Sequence, residues 1–201
     1  MAVPQTLSIF INMEKNLKLA ITSLIDINEQ DCNLLISLFE SDFCNNNDNL
    51  FDTINNDCIV YIDSGLFRKI ALNKKGEESI SYFFEANQFF SFSTKDSEMS
   101  FSEVNIQSVG KSKMYYISKK TLEKLSIDIK EIFEFLRKIS ENFAVLMEKR
   151  VCNFMKLTAD SKYLQFKEMY PEMFSTVNKS HVASYLGISP QHFSRLIKNH
   201  N

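Results

Sequence analysis

The period of the apolar residues changes along this chain, and each change marks a different kind of structure. Over residues 14–43 they recur at helical spacing, first in L-K-L-A-I-T-S-L-I and then in D-C-N-L-L-I-S-L-F-E. Asp26 or Asn28 can cap the second piece, whose apolar face is Leu34, Leu35, Leu38 and Phe39. Cys44 to Asp52 is rich in Asn and reads as a loop. From Leu50 to Ser118 the period falls to two. Short runs rich in β-branched and aromatic residues lie at 58–62, 66–72, 79–84, 104–109 and 113–117. Turn signals part them at D-S-G 63–65, N-K-K-G 73–76, E-A-N 85–87 and G-K-S 110–112. Strands at this spacing predict an antiparallel sandwich or roll.

The period then returns to helical. A short piece at 121–125 is followed by a long one over 127–150. In it Ile129, Ile132, Leu136, Ile139, Phe143 and Leu146 are spaced 3, 4, 3, 4, 3. That is the seam of a coiled coil, and it predicts a homodimer; the other reading is burial against the chain's own β domain. Phe133 and Met147 widen the stripe. A further helix is expected over 153–170, ended by Pro171, with P-E-M-F-S-T-V as a loop.

The last segment, Asn178 to Lys198, reads as two short helices and a tight turn. Asn178 can cap the first helix, and Val182, Ala183, Leu186 and Ile188 form its apolar side. Gly187 stands where the turn favours positive φ. Ser189 is a good N-cap for the second helix, and Pro190 suits its first position. Phe193, Leu196 and Ile197 pack back onto the first helix. Gln191, His192, Ser194, Arg195 and Lys198 are left outside, donor-rich and without an acid. Such a helix suits the major groove of DNA, where Arg forks onto guanine and Gln onto adenine. An ordinary helical hairpin with a solvated face is the plainer alternative.

Charge adds to the first reading. Met173 to Asn201 holds no Asp or Glu and three cations, Lys179, Arg195 and Lys198, so a chain of net −2 carries −5 over residues 1–172. A basic tip on an acidic body fits a protein that meets phosphate at one end. Three cations are few for one site, so two copies are expected to act together. The four cysteines, Cys32, Cys44, Cys58 and Cys152, form no C-x-x-C pair and read as reduced thiols of a cytoplasmic protein. No apolar run reaches the ~20 residues of a membrane span, so no membrane partner is expected. The start has no basic leader, so export is not expected; Met1 and Met13 stand as alternative starts between which the sequence does not decide.

The order of elements resembles the Crp/Fnr superfamily of bacterial transcription regulators. The residues that carry the resemblance are H-V-A-S-Y-L-G-I-S-P-Q-H-F-S-R at 181–195, S-G-L-F-R at 64–68 and K-G-E-E-S at 75–79. It implies an α+β fold with three parts. An N-terminal antiparallel β-roll with flanking helices, of the cyclic-nucleotide-binding type, takes 14–126. A dimerisation helix takes 127–150, and a helix-turn-helix domain takes 151–201. By the same resemblance Gln191 and Arg195 fall on base-reading positions. His192, Ser194, Asn178 and Lys179 are candidates for phosphate or edge contacts, with Ser189 and Lys198 beside them. Pro190 stands where many members carry a long side chain, so one base contact is missing. Double-stranded DNA is the implied partner, with RNA polymerase a further one.

The roll departs from the family's nucleotide binders. Those hold the cyclic phosphate with a Gly-Glu pair and a later Arg-Ser pair. Here N-Q-F-F-S-F-S-T at 87–94 has no Gly-Glu, and Ser102 and Glu103 take the place of Arg-Ser. A glutamate repels phosphate, so the effector is not expected to be a cyclic nucleotide. His181, His192 and His200 are the only histidines and all lie in the last segment, which disfavours a haem in the roll. Phe83, Phe84, Phe89, Phe90 and Phe92 read as core, with an apolar pocket as the alternative. No cofactor is expected and the effector is unknown. No nucleophile–base pair, metal-ligand spacing or phosphate-cradling glycine loop points to an enzyme. The chain reads as a homodimeric regulator of an inverted-repeat site; the alternative is a sensory or interaction protein of the same fold that no longer reads DNA.

Overall fold

The computed structural model describes residues 5–72, 78–93 and 103–200. It opens with α1 (Gln5–Leu24) and α2 (Glu29–Ser37), then β1 (Glu40–Cys44) and the short α3 (Leu50–Thr53). The strands β2 (Cys58–Ser64), β3 (Leu66–Leu72), β4 (Glu78–Glu85), β5 (Phe89–Phe92), β6 (Glu103–Ser108) and β7 (Ser112–Ser118) follow. Six helices close the chain: α4 (Lys119–Leu125), α5 (Glu131–Lys156), α6 (Ala159–Met169), α7 (Pro171–Thr176), α8 (Lys179–Leu186) and α9 (Pro190–Asn199).

The strands form two antiparallel sheets, ordered β1-β7-β2-β5 and β4-β3-β6. β2 shows how the roll is built. All five residues of C-I-V-Y-I are buried. Cys58, Val60 and Ile62 face the space between the sheets, where they meet Phe67, Phe84, Phe90, Phe92 and Met114. Ile59 and Tyr61 point the other way, onto Leu17, Ile21, Leu35, Ile132 and Phe135 from the helices. A strand covered on both faces loses the apolar–polar alternation of a half-exposed one.

Several expected boundaries move. Asn28 is the cap of α2, its side chain accepting from the Asp31 N–H at 2.9 Å. The helix ends at Ser37, and Glu40 to Cys44 pair with β7 instead of continuing it. Cys32 and Leu35 are the residues it buries, while Leu34 and Leu38 are exposed. Leu50–Thr53 is helical within the expected loop, capped by Asn49. β5, not expected as a strand, pairs Phe89 to Phe92 with β2. The N-K-K-G turn at 73–76 and Ser102 lie outside the described residues, and Glu103 opens β6.

The long helix α5 runs on to Lys156. A break at Leu157 follows, and Thr158 caps α6 by accepting from the Ser161 N–H. Pro171 does not begin a loop: it is the first residue of α7, where a missing N–H is harmless. The expected seam of α5 is divided. Ile129, Ile132 and Ile139 are buried in the chain's own core beside α1 and β2, with Leu136 partly buried against them. Phe143 packs toward the roll interior, and Leu146 is 41% exposed. The 3–4 spacing is satisfied here by a sheet face and a neighbouring helix, which makes these isoleucines core positions. The five phenylalanines of the 83–92 stretch divide among three clusters, Phe84, Phe90 and Phe92 inside the roll, Phe89 against Phe135, and Phe83 against the last domain. Phe84 and Phe90 stack at 4.1 Å, filling the roll with side chains.

All four cysteines are free, and only Cys152 is exposed. Burial pushes the Cys44 and Cys58 thiols up to about 11, so both stay protonated and unreactive at neutral pH.

Candidate nucleic-acid interface

The last two helices form as their caps require. The Asn178 side-chain oxygen accepts from the Ser180 N–H at 3.0 Å and from its hydroxyl at 2.9 Å. Gly187 has φ 68° and ψ 35°, and the Ile188 N–H reaches back to the Ala183 carbonyl at 3.1 Å. That is a Schellman closure, which needs the left-handed residue glycine supplies. Space also demands it, since a Cβ on Gly187 would stand 2.4 Å from the Phe154 ring. The Ser189 hydroxyl accepts from the His192 N–H at 3.2 Å, and Pro190 begins α9.

Between the two helices lies one core. Val182, Ala183 and Leu186 from α8 meet Phe193 and Leu196 from α9, with Tyr163, Phe166, Met173 and Val177 behind them. Tyr163 packs edge-on against both Phe174 and Phe193 at 5.6 and 5.7 Å. His200 ties the end of α9 to α6 through Asp160 at 3.3 Å.

The outer sides of the two helices differ. On α9, Gln191, Ser194, Arg195 and Lys198 are exposed, with His192 half-buried beside them. Among the described residues none of the four exposed side chains has a hydrogen-bond or ion-pair partner. Asn178 and Lys179 are exposed at the start of α8, and Ser189 at the start of α9. Asn178 and Ser189 spend their oxygens on capping, and the Asn178 amide N–H groups have no partner among the described residues. The structure thus brings Gln191, Ser194, Arg195 and Lys198 onto one surface, with Lys179 at the other helix.

Sequence reasoning missed where α8 itself would go. It is docked on the roll. Its Ser184 hydroxyl accepts from the Ile80 N–H at 2.9 Å, and the Tyr185 ring lies 5.1 Å from Phe83. An Arg68 guanidinium nitrogen sits 2.7 Å from His181 Nδ1, while its other arm donates to Gln107 Oε1 at 2.8 Å and Asn47 Oδ1 at 3.2 Å. Burial, then the neighbouring Arg68, holds the His181 imidazole below its ordinary 6.5, with Glu78 opposing. From the other side Arg150 of α5 stacks on the Tyr185 ring at 3.8 Å and donates to its carbonyl. A bulge makes this docking surface: pairing slips between Lys69↔Tyr82 and Ile70↔Ile80. The extra residue turns Ile80 to the same side as Phe83, although the two are an odd number apart. The one signal in the sequence was S-I-S-Y-F-F, whose consecutive aromatics demand cover on both faces.

No family model matches the sequence, and no curated protein matches it either. Solved structures do. FixK2 from Bradyrhizobium japonicum superposes with a TM-score of 0.64 at 12% identity, over 80% of this chain and 83% of that one. The c-di-GMP responsive global regulator CLP from Xanthomonas campestris gives 0.62 at 13% identity, over 86% and 91%. A protein from Eubacterium rectale described as a transcriptional regulator of the crp/fnr family gives 0.65 at 12% identity, over 87% and 83%. The architecture is therefore the Crp/Fnr fold, a β-roll joined by a long helix to a helix-turn-helix. Among the described residues no helix is long and apolar enough to cross a membrane.

Proposed function

We propose that the protein is a sequence-reading DNA-binding transcription regulator that acts as a homodimer on an inverted repeat. The observation that carries this is the outer side of α9: four exposed polar side chains, two of them cations, unspent on a helix whose other side is locked into a core. Arg195 and Gln191 are the base readers, able to fork onto guanine and adenine. Lys179 and Lys198 hold phosphate, with Asn178 and Ser194 at the margins. His192 and Ser189 lie close enough to the N-terminus of α9 to border the backbone contact.

The pairing surface is the stripe of α5 that its own chain leaves uncovered. Phe133, Ala144, Val151 and Met155 lie exposed along one side of the helix, at 64%, 56% and 79% for Phe133, Val151 and Met155, with Leu136 and Met147, which also touch the chain's own core, at its border. The stripe is about 33 Å long at 1.5 Å per residue. It turns away from Ile132, Phe135 and Ile139, so one helix serves its own roll and a second copy together. Two copies would set their α9 helices about 34 Å apart, one turn of the duplex. No enzymatic role and no cyclic nucleotide enter this reading. What supports the latter is the roll interior, occupied by Phe84, Phe90 and Phe92.

The test is selection of bound duplexes from a random pool, followed by titration of the winner at two salt concentrations. A palindromic winner, and an Arg195→Ala variant that stops distinguishing it from scrambled DNA, are the expected results. A wild-type chain that enriches no sequence at low salt overturns the reading and favours a fold kept for sensing or interaction alone. Val151→Glu should convert a dimer to a monomer in sedimentation.

A further inference from the structure

A groove of about 340 Å³ runs between α5, α6, α8 and the edge of β4. Its walls are aromatic: Tyr82, Phe166, Tyr170 and Tyr185. Three cations line it, Lys149 and Arg150 from α5 and Lys162 from α6, and among the described residues no carboxylate does. Among the described residues none of the three has an ion-pair partner. Two are instead held over rings. Arg150 lies 3.8 Å above Tyr185, and Lys162 lies 4.0 Å above Phe154. At one end Asn153 donates to Gln165 at 3.2 Å, linking α5 to α6. Three positive charges gather on a largely apolar, aromatic-walled cavity of ligand size with no carboxylate to balance them among the described residues.

We infer that this groove binds a small organic anion, a flat ring or short acyl body carrying a carboxylate or phosphate. The body lies among the tyrosines and Phe166, where stacking and burial favour it. The anion meets Arg150, whose remaining N–H donors are placed by its hold on the Tyr185 carbonyl, and the two ammonium groups beside it. The proposed pairing would border the groove at Phe154, two turns on from Met147, and leave its cationic wall open. Leu146, Lys149 and Asn153 project from the opposite side of α5 to Val151 and Met155. The groove meets the roll interior only through Tyr82, and its other lining residues come from α5, α6, the turn after α6 and α8. Leu186 lines it, and Phe154 presses on Gly187 at the turn itself. A ligand that joins α5, α6 and α8 fixes how the helix-turn-helix stands on the dimer helix. That consequence rests on the DNA-binding reading; the binding does not.

Binding is tested on the full chain without DNA, so the result is independent of whether DNA is read. The probes are anilinonaphthalene sulfonate, an aromatic anion, and uncharged phenylnaphthylamine, both followed by fluorescence. Expected is one saturable site per chain that holds the anion roughly tenfold more tightly than the neutral probe. Lys149→Gln with Lys162→Gln should weaken the anion by about tenfold and leave the neutral probe within about twofold. Arg150→Lys should weaken it less, because the charge stays and the fork is lost. Lys120→Gln with Lys124→Gln, on α4, should change nothing. Absence of saturable binding, or equal affinity of the wild type and the Lys149/Lys162 variant for the anion, overturns the proposal.

Discussion

α8 and α9 share one core and nearly one length, and they face opposite fates. Every polar position that α8 turns outward along its middle is already engaged: His181 by Arg68, Ser184 by the Ile80 N–H, Tyr185 by Arg150. The outward positions Gln191, Ser194, Arg195 and Lys198 of α9 have no partner among the described residues. The first helix is a strut, and the second is, in the proposed reading, the probe. The difference teaches that a polar face is informative only once its partners have been counted. Read from sequence, H-V-A-S-Y-L and Q-H-F-S-R look equally free.

The strongest way to break this pairing is to remove what the two helices share. Phe193 is 1% exposed, ringed by Tyr163 and Phe174 at 5.7 and 6.3 Å. Phe193→Ala should cost about 3–5 kcal/mol, the range for deleting a buried aromatic. Denaturant unfolding followed by circular dichroism checks it. A midpoint unchanged from wild type would mean that α9 is not held by this core.

Next come two substitutions whose effects should cross. Arg195→Ala removes an exposed side chain and should leave stability within about 0.5 kcal/mol while costing about 1–3 kcal/mol of DNA affinity. Ser184→Ala strips the partner from the Ile80 N–H and should cost about 1 kcal/mol of stability, with a smaller effect on DNA. Measuring both variants in both assays sharpens the distinction between probe and strut. If Ser184→Ala weakened DNA binding more than Arg195→Ala, the assignment of the two faces would have to be exchanged.

Much of this was legible in the residues, and what was not has a physical cause. The helix-turn-helix announced itself because its signals are local: Asn178, Gly187, Ser189 and Pro190 each act through their own backbone. The strands at 58–62, 66–72, 79–84, 104–109 and 113–117 were legible for the same reason. Phe89–Phe92 was not, since a run of four residues, with only Ser91 exposed between Phe90 and Phe92, is too short for its alternation to stand out from the aromatic stretch around it. Glu40–Cys44 was hidden by the helical run before it. The seam of α5 was ambiguous in principle, because the spacing of Ile129, Ile132 and Ile139 says that a face is buried and not which surface buries it. The docking of α8 depended on a one-residue bulge near Ile80, a non-local event that no pattern within either strand displays.

The smallest expected effect concerns pH, and it probes the strut. His181 is held below its ordinary 6.5 chiefly by burial and then by Arg68, with Glu78 on β4 pulling the other way. Asn47 and Gln107, which also face Arg68, are neutral. A base with a depressed folded-state value binds fewer protons when docked than when released. Its contribution is therefore fully present above 6.5 and falls as acid protonates the released form first. Glu85, raised by burial and then by Glu172, acts with the opposite sign nearer the carboxylate range. The comparison of wild type with His181→Gln separates the two, since Glu85 is common to both. Thermal unfolding of the wild type should lose stability between about pH 7 and about pH 5, in the range where histidine titrates. The variant should lose less over the same interval. Parallel curves would mean that Arg68 and His181 part before the proton arrives, and that α8 is held by Ile80, Phe83 and Arg150 alone.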